Sequence, residues 1–204
     1  MKKLFIINAQ PGGNKGAEAM LETVISNLKD VNYQIYIEAL NDSKAYERFI
    51  NRMPVDIKLA RFRPRSFLNP YDINISESDV VIDIGGINYH DKSLKANLRN
   101  LIRHSTFIRH NAKLIFFTQD FGPAYRHSTK IIAKYIYQNA ALIFMRSTQS
   151  KVFMEGLIGS QDTIYGPYPD CTLKLNPSYN SAKYAMPENY IVLAPSAIMF
   201  NEYG

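Results

Sequence analysis

The sequence predicts an α/β fold in which an open, mostly parallel sheet carries helices on both faces. Strand-like and helix-like segments alternate along the 204 residues, as in a chain of parallel β-α-β units. Val80–Ile82 and Leu114–Phe117 are continuous apolar runs, which is expected of central strands that are covered on both sides. A glycine-rich turn also joins the first strand to a helix. These observations indicate a Rossmann-like sheet, in which ligands lie at the carboxyl ends of the strands.

The first strand-turn-helix unit has the clearest pattern. Leu4–Ile7 is an apolar run typical of a buried strand, and apolar residues recur at helical spacing over residues 17–28. The turn between them, residues 10–16, fits neither the P-loop nor the dinucleotide fingerprint. Because a helix N-terminus offers unpaired N–H groups, the turn could seat an anion or a polar ligand. The alternative is a plain turn in which Asn14 caps the helix and Glu18 satisfies its positive end.

The other elements follow from the same two periodicities. Strands are predicted at Lys3–Ala9, Tyr33–Ala39, Asp56–Arg61, Asp79–Ile84, Lys113–Thr118, Ala141–Met145 and Asp162–Tyr165. Helices are predicted at Gly16–Lys29, Ser43–Arg52, Leu94–His110, Ser128–Asn139 and Ser147–Gly156.

Composition narrows the class of protein. Hydrophobic residues make up 46% of the chain, which is enough for a substantial core. No apolar run approaches the roughly 20 residues of a membrane span. The single cysteine, Cys171, excludes an internal disulfide and indicates a cytoplasmic protein. Because no Cys or His set accompanies it, metal binding is not expected. No cofactor is assigned either.

The net charge of +6 includes two basic segments. One is Arg61–Arg65, and the other is the predicted helix Leu94–His110, where Arg99 and Arg103 are one turn apart on a shared face. Each segment is either solvated surface or a site for an anionic partner, such as an acidic glycan, a diphosphate-linked lipid carrier or the inner face of the cell membrane. Nucleic acid is not expected, because no recognised binding motif accompanies the charge.

Three further turns follow predicted strands. They are Gly85–Asp91, Gln119–Pro123 and Arg146-Ser147. Since the carboxyl ends of parallel strands meet at one edge of a sheet, these turns and the first one are predicted to form a site there.

Three polar residues near these turns have two interpretations each. Asp83 either accepts backbone N–H groups from the glycine turn or contacts a ligand. The Gln119 amide either fixes its turn or binds a ligand. Arg146 either holds a carboxylate or phosphate, or forms a salt bridge with Asp170 or another acid.

Taken in order, these motifs resemble the N-terminal portion of the polysaccharide pyruvyl transferase family. Asn14–Leu21 resembles the family's Asn-x-Gly-Asp/Ala-Glu-Ala start, and Ser78–Gly86 resembles its Asp-hydrophobic-glycine block. Phe117–Pro123 resembles its Gly-Gln-x-hydrophobic-Gly-Pro block. The resemblance covers roughly residues 3–195.

The fourth motif departs from the family pattern at two positions. Met145–Ser150, followed by Pro169-Asp170, resembles the family's Arg-Asp/Glu-x-x-Ser and later Asp-Pro elements. Ser147 replaces the usual acid after arginine, and Cys171 replaces the usual proline. These differences affect the local backbone and the ligand more than the fold.

The resemblance implies a transferase with two Rossmann-like domains facing each other, as in glycosyltransferases of the GT-B type. It implies phosphoenolpyruvate as donor and, as acceptor, a glycan or lipid-linked saccharide of exopolysaccharide biosynthesis. Pyruvyl transfer needs a general acid, cations for the donor, and groups that orient two sugar hydroxyls. Much of the donor-binding Arg/His set is expected in the second domain, and no catalytic residue is assigned. The residues expected to bind substrate are Asn14, Gly16, Glu18, Gly85, Gly86, Asn88, Gln119, Gly122 and Arg146.

The predicted domain organisation divides the chain unevenly. Residues 1–175 form the N-terminal domain, 176–189 a linker, and 190–204 the start of a second domain. Because one strand cannot bury itself, we expect an incomplete enzyme that alone binds weakly and turns over little. Two other functions fit the same residues: a GT-B glycosyltransferase that uses a nucleotide sugar, and a non-catalytic module that binds anions or glycans through the basic helix.

Overall fold

The computed structural model describes residues 2–9, 11–12, 14–28, 30–39, 44–63, 70–122 and 124–175. The strands are β1 (Lys3–Ile7), β2 (Gln34–Ala39), β3 (Ile57–Arg61), β4 (Val80–Asp83), β5 (Ile87–Asn88), β6 (Lys113–Phe121), β7 (Leu142–Met145) and β8 (Ile164–Tyr165). The helices are α1 (Lys15–Ser26), α2 (Lys44–Ile50), α3 (Leu94–Arg109), α4 (His127–Gln138) and α5 (Thr148–Ile158), followed by a 3₁₀ turn at Cys171–Lys174.

The strands form one parallel sheet. Its order is β3-β2-β1-β4-β6-β7-β8, and the short β5 pairs with the end of β6. The chain runs outwards from β1 in one direction and from β4 in the other, so the topological switch point lies between these two strands. The predicted Rossmann-like α/β fold is therefore confirmed.

Both faces of the sheet are buried, as the continuous apolar strands predict. In β1, Phe5 and Ile7 belong to a core that also contains Phe107, Ile136 and Met154 of α3, α4 and α5. The alternate residues of β1 belong to a second core, which includes Leu21 of α1, Phe49 of α2 and Cys171. A strand that is covered on both faces has no polar alternation, and this explains its sequence.

The structure differs from the prediction mainly around β6. The sequence predicts that this strand ends at Thr118, but it continues to Phe121. Its register with β7 shifts between Phe116 and Gln119, and Thr118 has a left-handed backbone with φ of 46°. Beyond this irregularity the strand gains a partner in β5, which the sequence does not predict: Ile87 pairs with Asp120.

The predicted linker 176–189 and second-domain segment 190–204 lie outside the described residues, as do positions 64–69. Among the helices of the described part of the chain, none combines the length and apolarity needed to cross a membrane.

Candidate functional site

A cleft of about 480 Å³ opens at the carboxyl ends of β1 and β4, where the strand order reverses. We call it the switch-point cleft. The turns after β1, β4 and β7, the start of α1, one side chain of α3 and the 3₁₀ turn all contribute to it. The lining residues are Asn8, Asn14, Gly16, Ala17, Met20, Ile84, Gly85, Gly86, Ile87, Asn88, Asn100, Arg146, Asp170 and Thr172.

Six of the nine residues expected to bind substrate line this cleft. They are Asn14, Gly16, Gly85, Gly86, Asn88 and Arg146. The other three are absent from its lining: Glu18 supports the first turn, Gln119 is fully buried, and Gly122 contacts α5. Three of the four predicted turns therefore meet at one edge of the sheet. The fourth turn, Gln119–Pro123, contributes the buried side chain of Gln119 beneath the cleft.

The first turn is held by its own side chains. Asn14 Oδ1 accepts hydrogen bonds from the N–H groups of Gly16 (2.9 Å) and Ala17 (3.3 Å), so the predicted cap is confirmed. Glu18 accepts from the Gly12 N–H at 3.0 Å and pairs with Arg52 at 2.7 Å. Burial raises the pKa of the Glu18 carboxyl, but these contacts and that of a neighbouring lysine outweigh it, so the net pKa is lowered.

Asp83 is the buried centre beneath the cleft. Its carboxylate is fully shielded from solvent and receives five hydrogen bonds, which satisfies both oxygens. The donors are Gly85 N at 2.7 Å, Gln119 Nε2 at 2.9 Å, Asn8 Nδ2 at 2.7 Å, Asn88 Nδ2 at 3.0 Å and His104 Nε2 at 2.6 Å. Burial raises the pKa of the Asp83 carboxyl, but the hydrogen bonds from His104 and the Gly85 N–H lower it by more. The net pKa is therefore lowered. Of the two interpretations, the structural one describes this residue.

Gln119 connects β6 to this centre. Its Nε2 donates to the Asp83 carbonyl at 2.6 Å, and its Oε1 accepts from Asn88 Nδ2 at 3.1 Å. The amide thereby fixes the glycine turn and orients Asn88 in the cleft wall. Asn88 Oδ1 in turn accepts from Asn100 Nδ2 at 2.9 Å, so three amides form one connected row.

Arg103 corrects the prediction made for the basic helix. The sequence predicts that Arg99 and Arg103 share one face, either solvated or open to an anionic partner, but Arg99 is exposed and Arg103 is only 1% exposed. Arg103 Nε donates to Glu38 at 2.6 Å, and Nη1 donates to Asn8 Oδ1 at 2.9 Å and to Asn100 Oδ1. Arg103 is buried because its guanidinium pairs with the carboxylate of Glu38, which is itself buried on β2.

His104, the next residue of α3, is also buried. Its Nε2 faces Asp83 and its Nδ1 contacts the Tyr89 hydroxyl. A carboxylate, an imidazole and a phenol thus form a continuous chain below the cleft floor.

Arg146 is held by two carboxylates. Its Nη1 lies 2.5 Å from Asp170 and its Nη2 lies 2.8 Å from Asp120, so the predicted salt bridge to Asp170 is confirmed. Burial lowers the Arg146 pKa, but the two acids outweigh it and the net pKa is raised. Within the described residues, its buried Nε has no hydrogen-bond partner.

The described lining is rich in amides and poor in uncompensated charge. Asn8, Asn14, Asn88 and Asn100 all contribute to it. Arg146 is its one cation among the described residues, and that cation is already paired. The described part of the chain contains no group of three or more His, Cys, Asp or Glu that could hold a metal ion. Asparagine amides both donate and accept hydrogen bonds, so this lining suits a neutral polar ligand better than a free anion.

The sequence matches the model of the polysaccharide pyruvyl transferase family over residues 14–202. The chain belongs to the polysaccharide pyruvyl transferase family. No curated protein and no solved structure matches it. Membership implies a transferase with a saccharide acceptor.

Part of the cleft is not indicated by the sequence pattern of this chain. Asn8 follows β1 directly, and the rule that ligands lie at carboxyl ends of strands could have indicated it. Asn100 lies inside a helix and Thr172 lies in the 3₁₀ turn, and no local pattern marks either as a site residue.

Proposed function

We propose that this pyruvyl transferase uses phosphoenolpyruvate as donor and that the switch-point cleft holds the acceptor sugar, which is presented on a lipid carrier at a membrane surface. Family membership supports the reaction class. The amide-rich lining supports the assignment of the acceptor to this cleft.

The proposed reaction converts two sugar hydroxyls into a ketal. C2 of the enol forms two new C–O bonds, C3 takes up one proton to become a methyl group, and the C2–O bond to phosphate breaks. The two hydroxyl protons are accounted for by the new methyl group and by the released hydrogen phosphate. The protein must therefore hold two hydroxyl groups in a fixed relation to C2.

The cleft has the groups for that task. A sugar hydroxyl donates and accepts, and an amide side chain offers both functions. Asn88 uses both its Nδ2 hydrogens and its Oδ1 within the network, so it positions Asn100 rather than a ligand. Asn100 is held by Asn88 and Arg103 and keeps one Nδ2 hydrogen without a partner among the described residues, so its orientation is set before a ligand binds. Asn14 lines the cleft; its Oδ1 is used by the helix cap, while its Nδ2 has no partner within the described residues. A volume of about 480 Å³ is adequate for a monosaccharide unit.

The donor needs a different environment. Phosphoenolpyruvate carries a carboxylate and a phosphate, and these call for cations that are not already paired. Arg146 is compensated by Asp120 and Asp170. We therefore assign the donor's charged groups to residues outside the described lining.

Ligand-observed saturation-transfer NMR on the full chain tests the acceptor assignment, with methyl hexopyranosides as probes. Asn14→Ser retains an oxygen for the helix cap but removes the amide donor, and Asn100→Ala removes a fixed amide. We expect both to weaken the glycoside signal, while Asn51→Ala, at an exposed position directly after α2 and outside the cleft lining, retains it. An unchanged signal in both cleft variants, or competition of phosphoenolpyruvate with the glycoside, would contradict the assignment.

A second experiment tests the donor. Phosphate release and the mass of the product are followed with a methyl hexopyranoside and either phosphoenolpyruvate or a nucleotide sugar. Pyruvylated glycoside is expected only with phosphoenolpyruvate. A glycosylated product would instead identify the chain as a glycosyltransferase.

A further inference from the structure

Helices α3, α4 and α5 form one layer on the sheet face opposite α1 and α2. Their buried residues share one core with β1, and α1 and α2 share the other. Within the layer, Asn97 Nδ2 of α3 lies 3.4 Å from Thr129 Oγ1 of α4. We call the outer surface of this layer the α3–α5 face.

The α3–α5 face is strongly basic. Helices α3 and α4 contain no acidic residue, and α5 contains only Glu155. Lys95, Arg99, Lys130 and Lys134 are exposed, and none of the four has an ion pair within the described part of the chain. Their charges therefore add rather than cancel.

Exposed apolar side chains accompany the charge. Six of the eleven large apolar side chains that are exposed in the described residues belong to this layer or to the turn that precedes α4. They are Leu94 (48% exposed), Leu98 (45%), Tyr125 (79%), Ile131 (56%), Tyr135 (43%) and Val152 (66%). Tyr125, Val152 and Phe153 also line a groove of about 320 Å³ between α4 and α5. The α3–α5 face therefore combines exposed apolar side chains with its positive charge.

The face adjoins the switch-point cleft. Helices that follow parallel strands begin at the carboxyl ends of those strands, so α3, α4 and α5 all begin at the edge of the sheet where the cleft opens. Asn100 of α3 lines the cleft, and its neighbour Arg99 is exposed.

We propose that the α3–α5 face binds an anionic lipid bilayer. A surface that lies in the membrane interface typically combines lysine and arginine with tyrosine and aliphatic side chains. The cations attract anionic headgroups, and the apolar side chains enter the acyl boundary. Charge complementarity selects a negatively charged leaflet. The inference deepens the proposed function, since it would bring the cleft opening to a lipid-linked acceptor.

Vesicle co-sedimentation tests the charge. The full chain is mixed with vesicles of phosphatidylcholine, with or without phosphatidylglycerol. Because each basic residue near an anionic leaflet strengthens binding about fivefold, Lys130→Glu with Lys134→Glu is expected to weaken binding by at least about 25-fold. The matched control, Lys2→Glu with Lys44→Glu, makes the same charge change at exposed positions outside the three helices and should bind like the wild type.

Tryptophan fluorescence tests the insertion. The chain contains no tryptophan, so one introduced residue is the only source of this signal. Val152→Trp is expected to show a blue shift with anionic vesicles, and Val31→Trp, an exposed position outside the face, is expected to show none.

Three outcomes would overturn the proposal: equal binding to neutral and anionic vesicles, equal loss in the control pair, or no blue shift at position 152. Binding to soluble polyglutamate without binding to vesicles would likewise reject the bilayer and indicate an acidic protein. These measurements use neither donor nor glycoside, so their failure is distinct from failure of the proposed reaction.

Discussion

At the residue scale, a buried ion pair and a buried carboxylate–imidazole hydrogen bond support the amides of the cleft. Arg103 with Glu38 holds Asn8 and Asn100, and Asp83 with His104 holds Asn8 and Asn88. An ion pair such as Arg103–Glu38 adds little stability over an apolar core, but losing one of its partners leaves an uncompensated charge. The same holds for Asp83 when its hydrogen-bond donors are lost. The value of both contacts in this protein is the fixed position of the amide groups that they hold.

Arg103→Leu should reduce the free energy of unfolding by about 3–5 kcal/mol, because it leaves the Glu38 carboxylate buried without its cation. Arg99→Leu is the matched control, since it changes the same residue type one turn earlier on an exposed surface and should cost less than about 0.5 kcal/mol. Urea unfolding measures both. Equal losses would show that Arg103 is not buried against Glu38.

The fall in the free energy of unfolding at acid pH depends partly on Asp83. Its pKa is lower in the folded protein than in the unfolded chain, so its stabilisation is complete above the unfolded value of about 4 and is lost as the pH falls through the folded value. Asp83→Asn should make the decline below about pH 4 shallower, by up to about 1.4 kcal/mol per pH unit. Other carboxyls with lowered pKa values, including those of Glu18 and Asp170, retain part of the slope.

Guanidinium unfolding at a series of pH values measures this slope. The control is Asp162→Asn, which removes an exposed carboxylate from the loop before β8 and should follow the wild type. An Asp83→Asn profile parallel to that of the wild type would show that the Asp83 carboxylate does not contribute to acid unfolding.

At the element scale, the end of β6 connects the sheet to α5. Gly122 follows the strand with φ of +71°, and a Cβ atom added there would lie 2.7 Å from Phe153 Cγ. Ser150 of α5 also donates to Asp120 and accepts from the Phe121 N–H. This close approach explains why the position is glycine although it lies away from the cleft lining.

Gly122→Ala should therefore cost about 2–4 kcal/mol through backbone strain and overlap with Phe153. Gly86→Ala provides the contrast, since no atom lies within 4 Å of an added Cβ and Gly86 lines the cleft. Its stability should stay within about 0.5 kcal/mol of the wild type, while its glycoside signal weakens because the methyl group occupies ligand space. Thermal unfolding and saturation transfer measure the two effects. A Gly122→Ala protein as stable as the wild type would show that Phe153 does not pack closely against a left-handed backbone at this position.

The elements that could be predicted are those whose buried residues are apolar. Helix α1 has clear helical periodicity, strand β1 is a continuous apolar run, and the cap at Asn14 can be predicted from the turn between them. Helix α3 could be located but not oriented, because its buried face includes Asn97, Arg103 and His104. A pattern of hydrophobicity cannot identify a core face that is polar, and only the tertiary partners Glu38 and Asp83 show why it is buried.

At the scale of the whole molecule, two adjacent surfaces have different electrostatic character. The switch-point cleft contains amides and a cation neutralised by Asp120 and Asp170. On the α3–α5 face, Lys95, Arg99, Lys130 and Lys134 are exposed and have no ion pair within the described residues, while Lys151 lies beside Glu155. A neutral ligand and a charged surface could therefore bind at one edge of the sheet without competing for the same groups.

Ionic strength should separate these two binding events. Salt screens exposed charges over a Debye length of about 8–10 Å near physiological strength, so vesicle binding by the α3–α5 face should fall steeply as salt rises. Hydrogen bonds between cleft amides and a neutral glycoside involve no net charge, so the glycoside affinity should change less than about twofold over the same range. Co-sedimentation and saturation transfer in one salt series measure both. If the glycoside affinity fell with salt as steeply as vesicle binding, the ligand in the cleft would be held by charge. The cleft would then be assigned to an anionic ligand bound by Arg146 instead of the acceptor sugar.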